Sequence, residues 1–448
     1  MKHMDSPACH ANDLLRLIAC SFGMRNPDLD SVVPARSRTI SSADRARQDF
    51  PQGNKRLDNM KSILIEGWRG IHQSFAVVNQ YQLVELAGLE GISVKHRDLA
   101  FSVPEWNKVE SRVDFPKELQ AVIDSVAAPE SDEQFDAVYR IAIPFDRSEA
   151  RAKRSLSFIV SEFGLRQFQF GSPASAVDHF CRDGNLVVTP SQWSRQKLLE
   201  YGFREEGVRV IPHGVREDVF FPLQHAEKHE VRADLGIPAS AFVFLNLSSL
   251  TREKGLDILV QAFSAIRQRH DHAFLMLKDT RELYKNTLEG FFQYYTENFG
   301  PLPPEVLQSI CIVESKLDFS DMRKLYGSAD CYVSPYRAEG FNLPVIEAIA
   351  CGVPVIVTEG GATDDFCDKE VALKIESRRI ANADRCEYFG KELPPGYHLE
   401  PGVDSLIERM DQAIRDQTAL RPAFDDGRKL LIRNYSWQQV TRQLSNLF

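Results

Sequence analysis

The chain is 448 residues long, 43% hydrophobic and 26% charged, with a formal net charge of −9. That length exceeds one ordinary core and points to two domains of about 150 to 200 residues. The acidic balance, with no dense basic run, excludes nucleic acid as the main partner.

The eight cysteines show no C-x-x-C and no metal-like Cys/His spacing. They read as reduced, mostly buried thiols of a cytoplasmic protein. No apolar run reaches the 18 residues of a membrane span, and "LLRLIACSFGM" (14–24) is at most a short amphipathic helix.

In chain order, residues 1–60 are polar, rich in Arg, Ser and Asp, and read as an irregular extension. "KSILIEGWRG" (61–70) is a strand running into a glycine loop. "HQSFAVVNQYQLVELAGLEG" has helical spacing, and "ISVKHRDL" closes a strand–helix–strand unit. Further apolar runs at 135–145, 156–164 and 184–191 precede a helix capped by Ser191 and a last short strand, "GVRVIPHGV" (207–215). A charged, proline-bearing stretch, 216–238, has no strand and reads as a linker.

A second alternating block follows. Its strands are expected at 241–249, 272–279, 309–315, 331–336 and 353–359, and its helices at 255–268, 281–297, 320–328 and 344–351. Strands alternating with helices imply parallel sheets covered on both faces. The expected architecture is α/β: a first domain over 61–215, a second over 239–430, and a closing helix at 431–448 placed back on the first. Two doubly wound domains put a ligand at strand C-termini, in the cleft between them.

The chain has no G-x-G-x-x-G after a strand, no P-loop, and neither H-E-x-x-H nor G-x-S-x-G. "DLD" at 28–30 lies in the polar extension without a preceding strand, so no metal site is expected. The informative stretch is "AEGFNLPVIEAIACGVPV" (338–355), read as loop, helix, strand. Pro344 suits the first helical position, and Gly352 with Pro354 ends the helix. Glu339 then lies in the loop and Glu347 in the first helical turn. The amides around Phe341 to Val345 carry the positive end of the helix, which suits a phosphate. A loop carboxylate can accept bonds from sugar hydroxyls, and a helical one can take both hydroxyls of a ribose.

These residues resemble the E-x7-E signature of the retaining family-4 glycosyltransferases, whose GT-B fold sets two Rossmann-like domains face to face. "LTREKGLDILVQAF" (250–263), "VTPSQWSRQKLLEYGF…VRVIPHGVREDVFFP" and "FSDMRKLYGSADCYVSPYRAEGF" match other family segments in order, so the resemblance covers about residues 61–448. It implies a nucleotide-diphosphate-sugar donor on the second domain, a glycan or glycolipid acceptor on the first, and no metal or other cofactor. It also implies a cytoplasmic setting with peripheral contact at the inner membrane face. Residue by residue, Glu339 resembles the donor-sugar glutamate, Glu347 the ribose glutamate and Lys254 the phosphate lysine. Gly340, Phe341, Asn342 and Leu343 match the backbone at the sugar and diphosphate, and Gly67 and Gly70 match the glycine loop of the acceptor domain.

Three departures stand out. Ser248 and Ser249 occupy the place of the family's arginine, with Arg252 a candidate for the second positive charge. The strand that usually ends in a histidine offers Glu162 instead, and His72 or Arg69 is an alternative reaching the cleft. Residues 377–406 are longer than in many members, and "LEPGVDSLIERM" (399–410) reads as a loop returning to a helix. His213 in "IPHG" reads as a structural turn residue. Two other functions stay open: a nucleotide-sugar epimerase or hydrolase, and a catalytically silent member that binds nucleotide or glycan.

Overall fold

A computed structural model of the chain describes residues 60–103, 106, 115–171, 176–278, 287–314, 317–382 and 394–448. The polar extension, with its "DLD", lies outside the described residues. Residues 61–448 form one compact unit that contains two six-stranded sheets.

The first sheet comprises β1 (Lys61–Gly67), β2 (Ile92–Asp98), β3 (Phe135–Ile141), β4 (Ala152–Phe158), β5 (Leu186–Thr189) and β6 (Val208–Val210), in the order β2-β1-β3-β4-β5-β6. The second comprises β7 (Phe242–Asn246), β8 (Ala273–Lys278), β9 (Ile310–Val313), β10 (Cys331–Ser334), β11 (Val355–Thr358) and β12 (Ala372–Ile375), in the order β12-β11-β10-β7-β8-β9. Every strand pair in both sheets is parallel. Sheets covered on both faces need apolar residues on both sides of a strand, which is why Ile63, Leu64 and Ile65 follow one another with no exposed surface. The second sheet turns back between β7 and β10, the switch point where doubly wound folds bind ligands. The two Rossmann-like units read from the sequence are therefore present.

The helix Ser74–Ala87, after β1, is buried almost all round, including its polar Asn79, Gln80 and Gln82. One side meets the sheet. The other meets the helix Trp437–Ser445, where Tyr81 stacks on Trp437 at 5.2 Å. The chain's last residues are tied to the first sheet: Lys61 Nζ donates to the Phe448 carbonyl at 3.2 Å, and Arg154 donates to that of Leu447 at 2.8 Å.

The stretch 216–238 has no strand, as read, and holds the helix His225–Asp234. Its anchor is Arg232, 5% exposed, which bonds Asp330 at 2.6 Å and the carbonyls of Ser328 and Ala241. A helix docked by an arginine leaves no apolar stripe to read. One expectation needs correction: in "LEPGVDSLIERM" the helix is present as Val403–Arg415, but a strand leads into it rather than a loop, since β14 (Tyr397–Pro401) pairs antiparallel with β13 (Ser377–Ala381). Residues 383–393 between them lie outside the described residues.

No helix among the described residues is long and apolar enough to cross a membrane. Of the cysteines described, Cys311, Cys331, Cys351 and Cys367 are buried free thiols, and Cys181 is half-buried.

Candidate active site

A cleft of about 470 Å³ opens between the C-terminal ends of the two sheets, within the size range of small-molecule sites. The first sheet contributes His72 and the helix after β1, Val160 and Glu162 beyond β4, and His213 beyond β6. The second contributes Ser248, Ser249 and Lys254 beyond β7, Lys278 ending β8, Tyr326, and the run from Glu339 to Pro344 with Glu347.

Lys254 is the centre of the charge arrangement. Its Nζ lies 3.1 Å from Glu162 Oε1 and 3.0 Å from Glu339 Oε1, so one ammonium joins carboxylates from opposite sheets. Burial alone would push its pKa down, but the two carboxylates together hold it above the ordinary lysine value. Burial raises Glu339, against the pull of Lys254. Burial also raises Glu347, to about 7, although the Tyr326 hydroxyl donates to its Oε2 at 2.7 Å and favours the charged form.

The loop between the glutamates is held from several directions. Ser191 caps its own helix by accepting from the Ser194 amide, and its hydroxyl donates to the Gly340 carbonyl at 2.6 Å. A Cβ on Gly340 would lie 2.3 Å from Val160 Cγ2, so the close approach of the two sheets requires glycine there. Asn342 takes φ 81°, a left-handed conformation that asparagine tolerates, and its Nδ2 donates to Ser334 Oγ at 2.9 Å. The helix itself runs Leu343–Ala350, so Glu347 sits in its second turn rather than the first. Phe341 is 3% exposed and stacks on Phe366 at 4.8 Å, so its ring belongs to the core while its backbone borders the cleft.

The structure therefore brings together Glu339, Glu347, Lys254, Glu162, His72, Ser249, Gly340, Phe341, Asn342 and Leu343. It leaves Gly67, Gly70 and Arg252 outside the lining. The Gly70 amide is already given to Gln80 Oε1 at 3.1 Å, and the Gly67 carbonyl accepts from the Leu99 amide at 3.0 Å. Arg69 turns away from the cleft to a two-point ion pair with Asp98, at 2.8 and 3.0 Å. His72 sets its ring edge-on to Phe319 at 5.5 Å.

Sequence reasoning missed Lys278, which is 6% exposed and shares the cleft with Lys254. A lysine ending an apolar strand, as in "AFLMLK", is a signal that could have found it, because strand C-termini face the ligand. It also missed Arg337, 2% exposed, which grips Asp257 at 2.7 and 2.9 Å and Glu400 at 2.9 and 3.0 Å. Arg337 also donates to the Arg252 carbonyl, and its own amide donates to that of Glu253 at 2.6 Å. These bonds fix the Lys254 turn against the Glu339 loop.

Residues 241–385 match the family model described as Glycosyl transferases group 1. The mannosylfructose-phosphate synthase of Agrobacterium fabrum is 27% identical over 190 residues, 40% of this chain and 39% of that protein. The D-inositol 3-phosphate glycosyltransferase 1 of Catenulispora acidiphila is 30% identical over 178 residues, 39% of this chain and 41% of that protein. The chain thus aligns with about two fifths of the length of these curated relatives. Among solved structures, a glycosyltransferase from Rickettsia africae superposes with a TM-score of 0.62 at 18% identity, covering 87% of this chain and 98% of that one. Anabaena HepE in complex with UDP and glucose superposes with a TM-score of 0.59 at 15% identity, covering 86% and 98%. The family match thus lies in the second sheet's unit, over residues 241–385, and the two-sheet fold of the chain is that of these glycosyltransferase structures.

Proposed function

We propose that the protein is a retaining, metal-independent glycosyltransferase. It moves a sugar, most simply a hexose, from a nucleotide-diphosphate donor to a hydroxyl of a glycan or glycolipid. The observation that carries this reading is the single ammonium of Lys254 held between Glu162 and Glu339, at the switch point of the second sheet. A diphosphate has the charge to compete for that ammonium, and the start of the helix Leu343–Ala350 adds backbone dipoles. Glu347 would take the ribose hydroxyls, and Glu339 those of the transferred sugar. Lys254 then stabilises negative charge on the leaving diphosphate as the anomeric C–O bond breaks. The acceptor oxygen bonds the anomeric carbon on the same face, and its proton passes to the departing phosphate. Glu162 stands on the acceptor side of this centre. Closure of the two units would keep water from the donor. An acceptor in a membrane leaflet would be met by peripheral contact at its cytoplasmic face.

Purified protein incubated with a panel of nucleotide sugars, with and without a cell glycolipid extract, tests the reading. Nucleoside diphosphate is expected to appear only with acceptor present. Release without acceptor supports a hydrolase or epimerase, and saturable binding without turnover supports a silent member.

The pH dependence has a defined sign. Burial sets Glu347 near 7, and only its ionised form accepts two ribose hydroxyl bonds, so kcat/KM for donor rises as pH climbs through about 7. Tyr326→Phe removes the hydroxyl that favours the charged form and moves this limb to higher pH. A limb that stays in place detaches Tyr326 from Glu347. For stability the sign is opposite. The folded chain keeps this proton longer than the unfolded one, so stability falls as pH rises from the ordinary carboxylate range towards 7.

A further inference from the structure

The antiparallel ribbon of β13 and β14 follows β12 in the chain, and the proposed reaction gives it no task. One side of it is fastened to the Lys254 turn. Glu400 on β14 accepts from Arg337 at 2.9 and 3.0 Å, and the Leu399 amide donates to the Arg337 carbonyl at 2.9 Å. Its other side meets the loop after β4, which carries Glu162 across the cleft from Lys254.

Two routes run from the ribbon to that loop. Asn382, directly after β13, is 2% exposed, and its Nδ2 donates to the carbonyls of Phe163 at 3.0 Å and Pro394 at 2.7 Å. Only the amide nitrogen can serve two carbonyls, so the side chain's orientation is fixed and its Oδ1 is left to accept. His398 Nδ1, 2.8 Å from that oxygen, therefore carries a proton and donates it. On the second route, Tyr397 of β14 sets its ring edge-on to Trp193 at 5.4 Å, and Trp193 Nε1 donates to the Glu162 carbonyl. The backbones also come close. Gly164 takes φ 138°, and a Cβ there would lie 2.8 Å from Pro394 Cγ and from the Pro395 carbonyl oxygen.

Glu162 needs this support. Its side chain is 40% exposed, and an ion pair so open on one side fixes a long side chain poorly. A buried amide with both hydrogens bonded is a firmer constraint, because a satisfied polar network specifies one arrangement.

We propose that the β13–β14 ribbon is a positioning element of the transfer site, with Asn382 and Trp193 holding the Glu162 loop at its distance from Lys254. The ribbon then sets both ends of that ion pair, Lys254 through Arg337 and Glu162 through Asn382 and Trp193. This inference rests on the glycosyl-transfer reading, in which Glu162 stands on the acceptor side.

The test is a double-mutant cycle on kcat, with affinity for the preferred donor's nucleoside diphosphate measured in each variant. Asn382→Asp keeps the shape but sets a carboxylate oxygen against the two carbonyls. It is expected to lower kcat about 10 to 10²-fold, the cost of a displaced positioning contact. Diphosphate affinity should not fall, because the second sheet's unit supplies its contacts. In a Glu162→Ala background the same change should cost less than about two-fold, since nothing is left for it to place. Trp193→Phe deletes one N–H and keeps a ring against Tyr397. It should show a smaller loss with the same dependence on Glu162, and it decides the matter if Asn382→Asp fails to fold. Equal losses in both backgrounds, wild-type kcat in both variants, or wild-type kcat in Glu162→Ala itself overturns the positioning role while leaving glycosyl transfer intact. A wild type without acceptor-dependent diphosphate release overturns both.

Discussion

Lys254→Ala is expected to lower kcat by about 10² to 10³-fold, the cost of deleting one preorganised group that stabilises developing charge. Its ammonium touches both carboxylates at once. The effect should fall on kcat more than on donor KM, because charge on the leaving diphosphate grows towards the transition state. The substitution also leaves Glu162 and Glu339 facing each other without a cation. Glu339, already raised by burial, then rises further because the charge that opposed that rise is gone. Steady-state kinetics with the preferred donor check the result, and a variant retaining more than a tenth of wild-type kcat removes Lys254 from the proposed chemistry.

Arg337→Ala is expected to destabilise the folded chain by about 3 to 5 kcal/mol, the range seen when one partner of a buried ion pair is removed. The guanidinium satisfies Asp257 at two points and Glu400 at two more. Asp257 is 5% exposed and would be left as an uncompensated buried charge. Arg337→Lys should be nearly as damaging, since a single ammonium cannot reproduce the planar fork. Thermal denaturation followed by circular dichroism reads the loss. A midpoint equal to wild type would mean that Asp257 and Glu400 find other partners. Because Arg337 joins the Lys254 turn to the Glu339 loop, surviving folded protein should also transfer sugar more slowly.

Much of this was legible from local chemistry. Apolar runs alternating with helical spacing announced the two parallel sheets, and the proline, glycine and paired glutamates at 339–352 marked the loop and helix that border the cleft. Lys254 followed from its place in a recognisable segment.

What escaped the sequence depends on contacts between distant residues. Glycines at 67 and 70 read as a phosphate loop, yet Gln80 takes the Gly70 amide from within a buried helix. The linker's helix is held by Arg232, and the loop carrying Glu339 by Arg337. Neither arginine disturbs a hydrophobic pattern, so neither can be seen without its partners. Arg252 looked like the second cation, whereas the fold brings Lys278 to the cleft from the end of a different strand. The pairing of β13 with β14 joins residues about 20 apart with little apolar alternation.

In the proposed reaction, Lys254 and the two glutamates hold a nucleotide sugar while its sugar passes to an acceptor on the same face. Proton NMR of the glycoside product tests this most directly. The anomeric coupling should show the configuration the sugar had in the donor. A product of inverted configuration would contradict the account.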